Sequence, residues 1–177
     1  TISDNQINFN QFVKNNKTIK KNWSASVVDL DHGVVGVQLH SVLKPDFNPL
    51  DGSIVSTLDY AVNWVNENNY KGIVISGDGP NFSAGANLNL ILNASYRKEW
   101  ELIDKMTKTM QDTFQSLRFA PFPVVAAPFG FVLGGGYEIC GSCDKIVAAA
   151  ESYIGLVEVG MGIIPGAGGN LRMLSNV

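Results

Sequence analysis

Glu138 ends a charge-free run that begins after Arg118, and only Tyr137 separates it from Gly134-Gly135-Gly136. An ionisable group set in apolar sequence is expensive to bury without a task. A carboxylate in the first turn of a helix is also stabilised by the helix dipole, so a purely structural role is open to it. Glu158, in Gly155-Leu156-Val157-Glu158, again lies in weakly charged surroundings, ahead of Ile164-Pro165-Gly166-Ala167-Gly168-Gly169. Taken by itself, Glu158 reads as an ordinary loop carboxylate.

Two glycine-rich turns, residues 76–87 and 129–138, each follow a strand-like run and lead into a helical one. A helix that starts just after such a turn exposes backbone N–H groups with no partner inside the helix. Those donors can receive an anion or a developing oxyanion, and the glycines let a ligand approach the backbone closely. Alone, either segment would be a plain tight turn. A phosphate loop is excluded because neither turn ends in Gly-Lys-Ser/Thr. The dinucleotide fingerprint fails too: counted from Gly134 the sixth position is Ile139, and counted from Gly166 it is Leu171. A Ser-His-Asp hydrolase lacks its Gly-x-Ser-x-Gly element, and the two histidines, His32 and His40, sit in or beside early strands as structural residues. Cys140 and Cys143 form one C-x-x-C with no second pair to complete a zinc site, so they read as buried apolar thiols.

The elements that must position these groups follow from periodicity. Residues 27–30 and 34–39 flank Asp31-His32-Gly33, the pattern of a hairpin. Ile54, Leu58, Ala61, Val62 and Val65 recur at helical spacing and predict a helix over 52–68. Residues 72–76 form a short buried strand, and Ile103, Met106, Met110, Phe114 and Leu117 mark a second long helix stopped by Pro121. Residues 124–127 and 145–149 predict further strands. Strands separated by helices give an α/β architecture with parallel pairing. Residues 1–23 are polar, with Ile2, Ile7, Phe9, Phe12, Val13, Ile19 and Trp23 to bury, and suit a linker or a loosely docked arm from a preceding region. The lysines at 14, 17, 20 and 21 there read as a solvated face.

Composition narrows the function. The chain has 177 residues, enough for one domain with a sizeable core. With 13 Lys+Arg against 16 Asp+Glu, no basic excess is available to neutralise a nucleic acid backbone. Hydrophobic residues reach 45% and charged residues only 16%, which excludes a disordered chain and points to apolar contacts at the surface. The run 119–137 approaches the length of a membrane span, but Pro121, Pro123, Pro128, Gly130 and the glycine triplet would break a helix, so no span is expected. Two cysteines and no basic-then-apolar leader suggest a cytoplasmic or other reducing interior compartment.

Taken in order, several motifs resemble the crotonase (enoyl-CoA hydratase/isomerase) family. They are Phe82-Ser83-Ala84-Gly85-Ala86-Asn87, then Pro123-Val124-Val125-Ala126-Ala127 with Gly130, Leu133-Gly134-Gly135-Gly136 and Glu138. Cys143-Asp144 and Gly155-x-x-Glu158-x-x-x-Gly162-x-x-Pro165-Gly166-x-Gly168-Gly169 follow. Asn48-Pro49-Leu50-Asp51 resembles the family's early Asn-x-Leu element. The likeness runs from about residue 24 to the end. It is greatest for the hydratase region of multifunctional fatty-acid oxidation proteins that also carry a 3-hydroxyacyl-CoA dehydrogenase.

The resemblance implies a spiral of ββα units over residues 24–177, lacking the family's C-terminal helices, with a dehydrogenase domain upstream. It implies an oxyanion hole at the N–H groups of Ala86 and Gly135, and two catalytic glutamates at Glu138 and Glu158. Two carboxylates close together cannot both ionise easily, which suits acid–base work. Substrate-binding positions fall on Ser83, Ala84, Gly85, Asn87, Leu88, Gly134, Gly162 and Pro165. The implied activity is hydration of trans-2-enoyl-CoA, with no metal or redox cofactor, in a homo-oligomer of the complete protein. A Δ3-Δ2 enoyl-CoA isomerase and a non-catalytic acyl-CoA-binding or docking module are the alternatives. Asn87 stands where the family commonly has Asp, and residues 42–47 make a longer turn than usual.

Overall fold

The computed structural model describes residues 8–42 and 44–175. Its centre is a six-stranded sheet whose order is β1 (Thr18–Lys21), β2 (Ala25–Asp29), β3 (Val34–Leu39), β4 (Gly72–Gly77), β5 (Val124–Ala126) and β7 (Lys145–Ile146). The expected hairpin is β2 (Ala25–Asp29) and β3 (Val34–Leu39), paired antiparallel from Ala25↔Leu39 to Asp29↔Val35. Its turn holds Asp31, His32 and Gly33 at positive φ, a conformation that Asp, His and Gly tolerate better than branched residues. The chain then crosses through helix α2 (Gly52–Glu67) to β4 (Gly72–Gly77), which lies parallel to β3. Asp51 caps α2 by accepting from the N–H groups of Ser53 and Ile54.

The next crossover uses helices α3 (Leu88–Tyr96) and α4 (Trp100–Arg118), and it returns to β5 (Val124–Ala126), parallel to β4. Strand β6 (Phe131–Leu133) leaves this sheet and pairs in parallel with β8 (Tyr153–Gly155) as a second, two-stranded sheet. Between them come helix α5 (Gly135–Gly141) and strand β7 (Lys145–Ile146). A 3-10 turn (Glu158–Met161) and helix α6 (Gly169–Ser175) follow. The main core gathers Leu39, Ile54, Leu58, Ile73, Ile75, Phe82, Phe114 and Ile139 between the sheet and its helices.

Two expectations change. The strand expected over 145–149 is only Lys145–Ile146, because its partner β5 runs out at Ala126 and Pro128 offers no N–H to a ladder. The stretch expected to be a linker or loosely docked arm is a helix, α1 (Phe9–Lys14), and an edge strand, β1 (Thr18–Lys21), antiparallel to β2. Phe9 packs with Val28 and Leu30 in a small second core beneath it. Its lysines are partly engaged: Lys17 donates to Asp31 at 2.7 Å, and Lys20 lies 3.9 Å over the Tyr60 ring. Ile2 and Ile7, expected to be buried in the arm, lie outside the described residues.

Candidate active site

Backbone geometry leaves two N–H groups free beside one cavity. Leu50 and Ala86 form a parallel bridge in which Leu50 N–H donates to Gly85 O and Asn87 N–H donates to Leu50 O. Leu50 thus uses the groups on either side of Ala86 and leaves the Ala86 N–H facing the other way. Gly135 is the first residue of α5, where an N–H has no intrahelical acceptor. Among the described residues neither N–H donates a hydrogen bond. A Cβ placed on Gly135 would stand 3.8 Å from the Ala86 nitrogen, and one on Gly85 would stand 3.7 Å from the Gly135 nitrogen. Both residues line one cavity of about 650 Å³.

The approach of these turns requires glycine at two places. Gly85 has φ +96°, and a side chain there would also press on the Leu133 carbonyl at 3.1 Å. Gly136 lies against Ser83, whose carbonyl would be 2.8 Å from a Cβ. Ser83 itself is buried, donates to Asn48 O at 2.8 Å and accepts from Gly85 N–H at 3.2 Å, so it shapes the turn from behind. Ala84, Gly85, Leu88, Gly134, Gly162 and Pro165 line the same cavity. Asn87 instead lines an adjoining groove of about 570 Å³ between α2, α3 and α4, which meets the cavity at Ala86, Ile91 and Met110.

The two glutamates come from different elements and meet on the same cavity wall. Glu138, in the first turn of α5, is 2% exposed, and its Oε1 accepts from Ala167 N–H at 2.8 Å and Gly169 N–H at 2.9 Å. Burial pushes its carboxyl above the ordinary value, and nearby Glu158 adds to the rise; the Gly169 and Ala167 N–H bonds and Arg172 oppose it. Glu158 opens the 3-10 turn rather than a plain loop and is 9% exposed. Its Oε1 would be 3.0 Å from a Cβ on Gly134, and its buried Oε2 has no hydrogen-bond partner among the described residues. An orphaned buried carboxylate oxygen marks a place where a polar ligand or water belongs.

The other candidates are structural. His40 Nε2 lies 2.6 Å from Ser26 Oγ, and His32 sits in the hairpin turn. Cys140 and Cys143 are buried, and burial pushes the Cys143 thiol up to about 12, far from a reactive thiolate. Asn48 proves to be a staple: its side chain accepts from Ser41 N–H and donates to Asp78 O and Asn81 O. The N–H groups of Ala167 and Gly169 were not foreseen as partners of Glu138; the only sequence signal was the glycine cluster around them. No helix among the described residues is long and apolar enough to cross a membrane.

Two glycine-turn N–H groups and two buried glutamates thus border one cavity of an α/β fold. The model of the enoyl-CoA hydratase/isomerase family matches residues 30–177, and the chain belongs to that family, the crotonases. It is 40% identical over 158 residues to the "Probable 3-hydroxyacyl-CoA dehydrogenase" of Bacillus subtilis, a match covering 89% of this chain and 19% of that protein. It is 32% identical over 152 residues to the "Peroxisomal fatty acid beta-oxidation multifunctional protein AIM1" of Arabidopsis thaliana, covering 82% of this chain and 20% of that protein. The crystal structure of an enoyl-CoA hydratase from Bacillus anthracis superposes with a TM-score of 0.73 at 31% identity, covering 85% of this chain and 57% of that one. The chain therefore has the crotonase fold and spans about a fifth of each of these two relatives and just over half of the solved hydratase.

Proposed function

We propose that this domain hydrates trans-2-enoyl-CoA to 3-hydroxyacyl-CoA in fatty-acid oxidation. The observation that carries the reading is the unpartnered Glu158 Oε2, buried beside Glu138 on the cavity reached by the Ala86 and Gly135 N–H groups. The two N–H groups receive the thioester carbonyl oxygen and stabilise the charge it gains as the Cα=Cβ bond is attacked. One such preorganised donor contributes about 2.7–4 kcal/mol. The carboxylates hold one water between them. One orients it for attack on Cβ and takes a proton; the other delivers a proton to Cα, so the product gains H and OH across the double bond. Water and carboxylates suffice for these transfers, and the reading assigns no step to a metal or redox cofactor. Apolar lining from Leu88, Ile103, Met110, Ile163 and Ile164 suits an acyl chain.

The isomerase reading requires only one base shuttling a proton along the substrate, and the buried pair favours hydration over it. In the complete protein, Glu138→Gln and Glu158→Gln should each lower hydration of a 2-enoyl-CoA by about 10²-fold or more, with substrate binding changed far less. Near-normal hydration in Glu138→Gln, with isomerisation lost only in Glu158→Gln, would make the isomerase the better reading. A wild-type protein that binds acyl-CoA but turns over neither substrate would leave a binding module.

A further inference from the structure

Arg172, on α6, is a buried cation that the reaction as drawn does not use. It is 8% exposed, and among the described residues it has no ion-pair partner. An unpaired buried guanidinium is costly, and its placement calls for a compensating interaction. Its Nη1 donates to the carbonyl of Ala167. Ala167 is the residue whose N–H donates to Glu138 Oε1, so it is held from both sides: by Glu138 through its N–H and by Arg172 through its carbonyl. The arginine stem packs against α5 as well, where a Cβ on Gly141 would stand 3.2 Å from Arg172 Cβ. Gly168, at φ +94°, favours glycine by its backbone, and a Cβ there would meet the guanidinium and push it aside.

We propose that Arg172 is a positioning residue for the hydration chemistry: by holding the Ala167 carbonyl from behind, it keeps the Ala167 and Gly169 N–H groups aimed at Glu138. This rests on the reading of Glu138 as a working carboxylate. The groups that act on Glu138 are Glu158, from the 3-10 turn, and Arg172, from α6. Around Arg172 stand Arg118 at the end of α4, Tyr137 on α5 and Cys143 just beyond it. Glu158 favours the protonated form of Glu138, whereas Arg172 and the two N–H groups favour the carboxylate. Removing Arg172 takes away its charge and loosens the N–H pair, and both changes act in one direction.

The test uses the complete protein with Arg172→Met and, should that fail to fold, Arg172→Gln, whose polar but uncharged side chain is too short to hold the Ala167 carbonyl as the guanidinium does. Either should lower kcat for 2-enoyl-CoA hydration by about 10-fold or more, with KM changed by less than about 3-fold. The limb of the pH–kcat/KM profile that Glu138→Gln abolishes should move to higher pH. Hydrogen exchange of residues 164–170, followed by mass spectrometry, should quicken while residues 100–118 exchange as in wild type. Loss of kcat and thermal stability with that limb unmoved would reduce Arg172 to a structural residue and overturn the proposal. Wild-type exchange over 164–170 in a folded variant would overturn it as well. A wild-type protein that fails to hydrate 2-enoyl-CoA would sink the hydratase reading, whereas the exchange measurement would still decide whether Arg172 holds the loop.

Discussion

Glu138 combines two opposed demands, being buried like a core residue and hydrogen-bonded like a carboxylate. Burial holds its carboxyl above the ordinary range, so the native state keeps that proton to higher pH than the unfolded chain does. Stability linked to a raised pKa is complete below the unfolded value and is lost as pH rises through the native one. Glu138→Gln keeps an oxygen to accept from both N–H groups but cannot ionise. Its thermal midpoint relative to wild type should therefore gain steadily as pH rises above the ordinary glutamate value, and the advantage should vanish by about pH 3, where glutamate is largely protonated in either state. Thermal denaturation across that range measures it. An advantage that grows on acidification would mean the carboxylate form is the one the fold favours. The same substitution separates stability from catalysis, since it should remove activity while leaving the fold intact.

At the scale of elements, the site is made where chain segments distant in sequence lock their turns together. Asn48 is fully buried at φ +41° and ties the residues before α2 to the turn after β4 through three side-chain hydrogen bonds. Its carbonyl also accepts from the hydroxyl of Ser83, three residues before Ala86. Asn48→Ala strands the buried Ser41 N–H and should lower stability by about 1–3 kcal/mol, read from the urea midpoint. An unchanged midpoint would show that the turns hold without the staple. The long elements α2, α4, β3 and β4 were legible because each carries several turns or pleats of apolar periodicity. Strands β6 and β8 were not: each has three residues, β6 runs straight into Gly134, and their faces are too short to show alternation. The glutamate pair was legible only through the ordered family motifs, since Glu158 by itself has no signal. Its company with Glu138, and the N–H groups of Ala167 and Gly169, depend on backbone placement that side-chain identity does not encode. Arg172 gave no sign, because a single arginine in a short helical run is ordinarily a solvated charge.

Across the whole molecule, apolar surface is divided unevenly. The main core is sealed between the sheet and α2 and α4, while Tyr153, Val159, Ile164, Leu171 and Leu174 remain exposed around β8, the 3-10 turn and α6. That accounts for the high apolar content alongside so few charges. The α1–β1 segment has its own small core, in which Phe9 packs with Val28 and Leu30, supported by Phe12 and Val13. Phe9 Cζ lies where a Cβ on Gly36 would be only 2.9 Å away, so the ring fills the space that this glycine leaves. Because this core is distinct from the main one, the segment should open as a unit of its own. Phe9→Ala should cost up to about 3 kcal/mol, since the ring is nearly but not wholly buried. Hydrogen exchange at Thr18–Lys21 should then accelerate strongly, while exchange in β4 and α4 stays at the wild-type rate. Uniform acceleration across all of these would show that the arm and the main core unfold together, and that residues 8–21 are a cooperative part of the sheet rather than a separately docked layer.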